Sequence, residues 1–178
     1  GVDVGQAMKT GPLWARVSGL AADRAGAAVA LNWSDTLLGV ADGMYFADEE
    51  ISPPYTPSRG TETCSVVEAM HSMRTSYETT GDARFWDRLE VLAFNSLPAA
   101  LWPDVTANVY HHSSNQVAAA DQYGFDLWYC CTANMHQGWP RFALGAAHVD
   151  SADGALVVSG FAPAATALAD PAAGAGGT

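Results

Sequence analysis

The chain has 178 residues, about half of them apolar, which is enough for one ordinary domain with a real hydrophobic core. Its formal net charge is −11 and Lys9 is the only lysine among eight cationic side chains, so there is no basic stripe for a phosphate backbone, and nucleic acid is excluded as an expected partner. No run approaches the roughly 18 to 20 apolar residues of a membrane span, and the opening "GVDVGQAMKT" carries neither an initiator Met nor a basic-plus-apolar leader. The chain is therefore expected to be an internal piece of a longer protein, with its compartment, cytoplasmic or secreted, left open.

In chain order the pattern is mostly helical. From Gly1 to about Ser18 the apolar Val4, Met8, Trp14 and Val17 predict a helix disturbed at Gly11-Pro12, and Ala22 to about Leu38 reads as a second, alanine-rich one. The Pro- and Gly-rich "SPPYTPSRG" is a loop. Val66, Val67, Met70 and Tyr77 then recur at helical spacing, "TGDARF" turns the chain, and Trp86, Leu89, Ala93 and Leu97 mark a return helix, so the two form a hairpin. Pro98 and Pro103 break that pattern. The stretch from "TANVYHH" to "DLWYCC" reads as irregular or short extended structure, with a short helix beginning near Asn134. "GALVVSGFAP" alternates as a strand does, and "AATALADPAAGAGGT" is a low-complexity tail.

Three cysteines, Cys64 and the adjacent Cys130 and Cys131, carry the chemistry. A disulfide between neighbours would close a strained ring, since disulfides want Cα atoms about 4.4 to 6.8 Å apart and neighbours sit at about 3.8 Å. Two buried spectators are the plain alternative, because free cysteine packs as a small hydrophobe. The third cysteine adds another reading. In "GTETCSVVEAM" Glu62 and Cys64 are two apart, and residues i and i+2 of an extended lead-in point the same way. If the backbone turns sharply at Cys130-Cys131, which Thr132-Ala133-Asn134 permits, one oxygen and three sulfurs could face one ion, a set that suits tetrahedral zinc.

"GTETCSVVEAM" followed by "CCTANMHQGWPRF" resembles the signature of glycoside hydrolase family 127, the clan that includes the β-L-arabinofuranosidases. The resemblance extends from "GVDVGQAMKTGPLWARVSG" through "ADEEIS" to "GALVVSGFAP". It implies a mainly α fold, in which residues 1–148 form part of an (α/α)6 barrel and residues 149–178 the beginning of a β-sandwich module and the low-complexity tail. It also implies a zinc-thiolate retaining glycosidase acting on a carbohydrate substrate, a β-L-arabinofuranoside or related sugar of plant glycans. Carried over residue by residue, Glu62, Cys64, Cys130 and Cys131 match the Zn2+ ligands, and Cys130 matches the nucleophile. Glu49 of "ADEEIS" matches the acid/base, ahead of Glu50 and Asp48, which otherwise read as a solvated turn or a helix cap. Tyr110 of "NVYHH" stands where the family has an aromatic residue near the sugar, with a core tyrosine as the alternative.

His111 and His112 read as groups supporting the site or as exposed side chains, Asn134 and Gln137 as holders of the turn after the cysteine pair, and the six tryptophans mostly as core. A second functional class stays open: a non-catalytic carbohydrate-binding barrel in which the same four ligands close a structural zinc site. Catalysis needs Cys130 to face open space; a structural site needs it buried.

Overall fold

A computed structural model describes residues 1–48, 60–115, 129–161, 163 and 165. The fold is mainly α, as expected, and is built around one helix. Helices α1 (Val2–Ala7), α2 (Thr10–Ser18) and α3 (Ala21–Leu38) lead into β1 (Thr61–Glu62), which runs directly into α4 (Thr63–Thr80). After α4 come α5 (Ala83–Val91), a π turn (Leu92–Ser96), α6 (Leu97–Ala99) and β2 (His111–His112). The chain resumes with α7 (Tyr129–Met135), α8 (Gly138–Gly145) and the strands β3 (Ala147–Val149) and β4 (Leu156–Val158).

Helix α4 is the hub, packed by α1, α2, α5, α7 and α8. It is buried on nearly every side through its first three turns, which explains why Thr63, Ser65, Ser72 and Ser76 sit inside beside Val66, Val67, Met70 and Met73. Small hydroxyl residues let neighbouring backbones approach and bond locally: the Ser72 hydroxyl donates to the Gly5 carbonyl, and Thr80 Oγ1 to the Ser76 carbonyl at 2.7 Å. Gly5 is the matching requirement on α1. A Cβ there would stand 2.8 Å from the Tyr45 hydroxyl and 3.0 Å from Ala69 N, so a side chain would push α1 off the hub.

The hairpin read from the sequence is present. Gly81 ends α4 in the left-handed region at φ 70°, where a β-carbon is disfavoured, and Asp82 opens α5 by accepting from Arg84 N at 3.1 Å. Phe85, Trp86 and Leu89 then face the core, with Trp86 stacked on Phe142 of α8 at 5.2 Å between ring centroids. Each such side chain contributes about 1.5 to 3 kcal/mol by leaving water. The return helix keeps Ala93 and Leu97 inward by widening into the π turn just ahead of Pro98, whose ring would crowd the carbonyl one turn back in a regular helix.

Four expectations need correction. The first helix breaks at Met8-Lys9 rather than Gly11-Pro12, because Pro12 falls in the first turn of α2, where its missing N–H costs nothing. The helix expected near Asn134 starts at Tyr129, so both adjacent cysteines lie in its first turn. Among the described tryptophans only Trp86 is buried; Trp14, Trp33, Trp102 and Trp139 are exposed. His111 and His112 are fully buried, which removes the exposed reading. The strand at "GALVVSG" is found as β4, paired antiparallel with β3.

Candidate metal centre

The centre is assembled from three segments that only tertiary structure brings together. Strand β1 pairs antiparallel with β2 in the register Thr61↔His112 and Glu62↔His111, and Glu62 N donates to the Ala47 carbonyl at 2.8 Å on its other side. Two further bonds pin the strand-to-helix step: Thr63 N to the Tyr110 carbonyl at 2.9 Å, and Thr63 Oγ1 to the Val109 carbonyl at 2.7 Å. Glu62 is therefore extended, at ψ 134°, and Cys64 is already the second residue of α4. The pair still faces one point, by a strand-to-helix turn rather than by the i, i+2 alternation of one strand. Helix α7 supplies Cys130 and Cys131, which in a helix are separated by about 100° and so can straddle a common centre without a special kink.

The donor atoms of Glu62, Cys64, Cys130 and Cys131 all lie within 4.8 Å of one another. The Cys64 and Cys131 sulfurs are 3.1 Å apart, and the Cys131 thiol points at Glu62 Oε1 at 3.7 Å. Tetrahedral zinc with thiolate ligands at about 2.3 Å would set its donors roughly 3.8 Å apart. The three thiols are free, with Cys64 and Cys131 buried and Cys130 exposed. Three sulfurs and a carboxylate at this spacing fit a tetrahedral, borderline-soft cation, and the residues could hold a metal as they stand.

Electrostatics point the same way. Without a cation, the shared hydrogen bond with Cys131 draws the Cys64 thiol below its ordinary range, against the opposing effects of burial and the Glu62 charge. Cys131 is pushed up by that same bond, then by burial and by the charges of Cys64 and Glu62. Cys130 is raised by burial first and by Cys64 second. The cluster thus resists holding more than one negative sulfur by itself. A divalent cation inverts that balance, since coordination deprotonates thiols outright.

Around the donors lies a buried polar layer. Tyr110, 7% exposed, packs with Cys64 and Cys131. His111 Nε2 stands 3.9 Å from Asp48 Oδ1, and His112 Nε2 stands 3.8 Å from Asp42 Oδ2. Asp48 is thereby a buried partner of a histidine rather than a solvated turn residue. These His–Asp pairs join residues more than 60 positions apart, and no local spacing could have shown them. Gln137 Nε2 donates to Asn134 Oδ1 at 2.8 Å between α7 and α8, as a turn holder should. Trp139 instead anchors α8 through its indole N–H to the Ala93 carbonyl, 2.8 Å away. Glu49, Glu50 and Trp128 lie outside the described residues.

A protein-family profile described as "Beta-L-arabinofuranosidase, GH127 catalytic domain" matches residues 38–144, which contain all four donors. Neither a search of curated proteins nor a search of solved structures gives a match. The profile covers more than half of the chain and spans both cysteine motifs, and on that ground the chain belongs to the β-L-arabinofuranosidase-like GH127 catalytic-domain family of glycoside hydrolases.

Proposed function

We propose that the chain carries the active centre of a zinc-thiolate retaining glycosidase acting on β-L-arabinofuranosides or related sugars of plant glycans. The observation that carries this reading is the asymmetry of the donor cluster: of its four donor residues, only Cys130 is exposed. A closed structural site would bury all four. When bound, the metal supplies the charge that keeps the thiols ionised at neutral pH, where a free thiol of pKa near 8.5 is only a few per cent thiolate.

The remaining steps belong to the chain's own residues. The Cys130 sulfur attacks the anomeric carbon while Glu49 protonates the departing glycosidic oxygen, leaving a cysteinyl-glycosyl intermediate. Glu49 then takes a proton from water, the water oxygen attacks the same carbon, and the sulfur departs with net retention. Cys130 thus takes the place of the carboxylate nucleophile of ordinary retaining enzymes. Tyr110, packed against Cys64 and Cys131, is assigned to hold the sugar against the Cys130 sulfur.

In domain terms, residues 1–148 are read as part of an (α/α)6 barrel and 149–178 as the start of a β-sandwich. Exposed Leu13, Trp14 and Val17 of α2 and Val29, Trp33 and Leu37 of α3 support this, because such faces call for further helices against them. The test is a panel of aryl furanosides and pyranosides of both anomers with the full-length protein. Release from the β-L-arabinofuranoside is expected; absence of release from every member, with metal bound, would return the site to a structural role.

A further inference from the structure

Cys64 stands at the start of α4, and Tyr77 in its last turn lies about 20 Å further along the axis at 1.5 Å per residue. At that far end the helix borders a cleft of about 890 Å3, within the range of roughly 300 to 1,000 Å3 that ligand pockets occupy. The walls come from α2, the first turn of α3, the last turn of α4 and the β3–β4 hairpin, through Arg16, Arg24, Tyr77, Glu78, His148 and Asp150. Arg16 is held in place: its Nε donates to Thr79 Oγ1 at 2.7 Å, and its Nη2 donates to the Thr75 carbonyl and to Glu78 Oε2, both at 3.4 Å. Among the described residues nothing takes up its Nη1 group. Arg24 is freer still. Of the described cations, Lys9, Arg16, Arg74, Arg84, Arg88 and Arg141 each face a carboxylate, and Arg24 does not, although the chain carries a net charge of −11.

On the wall made by α4 and β3, the His148 ring meets Tyr77 edge-on at 5.8 Å between centroids, and Ser159 Oγ donates to the Tyr77 hydroxyl at 2.9 Å. His148 Nδ1 is buried without a hydrogen-bond partner among the described residues, and a polar atom left so calls for water or a ligand. Asp150 Oδ1 accepts from Ala152 N at 2.8 Å, which leaves Oδ2 for another donor. Uncommitted donors and an uncommitted acceptor therefore share one cleft with aromatic surface. A phosphate or other strong anion would gain from the two guanidinium groups but meet the Glu78 and Asp150 carboxylates, which offset them. Hydroxyl groups donate and accept, so a polyol uses both kinds of partner at once. The apolar face of a sugar ring can in turn cover the aromatic carbons.

We propose that this cleft is a second, non-catalytic saccharide site, which takes a neutral sugar chain at the end of α4 remote from the metal centre. A polymer held there keeps its other units at a high effective concentration near the cysteines. The saccharide class rests on the groups in the cleft; the choice of an arabinose polymer as probe rests on the proposed glycosidase activity.

The test is affinity electrophoresis of the full-length, zinc-loaded protein in gels containing a neutral arabinan or, separately, polygalacturonate, with hydrolysis of an aryl β-L-arabinofuranoside measured on the same samples. The arabinan should retard the wild-type protein, and Arg24→Ala and His148→Phe should each raise the dissociation constant read from the gels about 10-fold. His148→Phe keeps a ring against Tyr77 and removes the nitrogen. Arg24 is exposed, so its truncation opens no cavity, and Asp150→Asn, which still accepts from Ala152 N but loses its charge, gives a third reading if His148→Phe disturbs the hairpin. Arg24→Ala should hydrolyse the small aryl glycoside at the wild-type rate. Retardation that survives all three exchanges, retardation by polygalacturonate alone, or retardation lost in Cys130→Ser yet kept in Arg24→Ala would overturn the inference. Absence of retardation would overturn it too, and if the aryl glycoside is still hydrolysed the proposed function stands without it. Retardation that depends on Arg24, in a protein that hydrolyses no aryl glycoside, would uphold the cleft and overturn the proposed function alone.

Discussion

Exchange of Glu62 for glutamine separates metal binding from packing more cleanly than any cysteine exchange. Glu62 is 3% exposed and its Oε1 lies 3.7 Å from the Cys131 sulfur, so the isosteric Glu62→Gln removes a charge and a ligand without opening a cavity. Its effects in the two states should have opposite sign. In the metal-free protein Glu62 is 3% exposed, so replacing its carboxylate with a neutral amide removes the cost of keeping a charge out of water, and stability should hold or rise slightly. In the loaded protein one of four ligands is lost. Structural zinc sites bind with about 10 to 16 kcal/mol, and one ligand's share is roughly 3 kcal/mol, or about a 100-fold weaker dissociation constant. Thermal unfolding with and without zinc, together with chelator competition, measures both arms. The reasoning is refuted if Glu62→Gln keeps its zinc affinity within about threefold of wild type, or if its metal-free form unfolds well below the wild-type temperature.

Three further outcomes follow from named contacts. Cys130→Ser should abolish turnover while the protein stays folded, because the position is exposed and an alcohol is a far weaker nucleophile; steady-state kinetics and circular dichroism check the two halves. Glu49→Gln should slow hydrolysis steeply for poor leaving groups yet spare activated aryl glycosides, with azide rescuing the second step, whereas Glu50→Gln should act weakly; a leaving-group series checks which residue carries the dependence. Burial works to raise the Asp42 carboxyl, but the His112 side chain and the Met44 N–H outweigh it and hold it below the ordinary carboxylate range. A group depressed on folding contributes stability that is full above its unfolded pKa, about 3.9, and lost as pH falls through the folded value. Asp42→Asn should therefore flatten the acid limb of the stability profile, as urea titrations between pH 3 and 7 would record.

Much of the fold could be read locally. Helix α3, the α4–α5 hairpin and strand β4 announce themselves by periodicity, by the Gly81-Asp82 pair and by alternation, because each is decided within about a dozen residues. The cysteine helix was missed at its start, since "DLWYCC" reads as extended by its aromatic and small side chains, and α7 is helical through its packing on α4. The donor set was legible from residue type, and the resemblance to a family raised it from one option among three. Its setting was not: Asp48 with His111 and Asp42 with His112 are pairings across tertiary structure. Gln137 and Asn134 illustrate the limit, because their turn-holding role was expected from the sequence while the Arg141 guanidinium that orients the Gln137 amide is placed beside Glu68 of another helix.

The central claim is that the exposed sulfur of a metal-binding cluster forms the bond to the sugar, and covalent labelling tests it most directly. Full-length, zinc-loaded protein incubated with an electrophilic β-L-arabinofuranose analogue, then digested and mapped by mass spectrometry, should carry one adduct per chain, on Cys130. Protection by free sugar should prevent it. An adduct on Cys131 or Cys64 with Cys130 unmodified, or a fully active enzyme whose Cys130 has been blocked, would contradict the account.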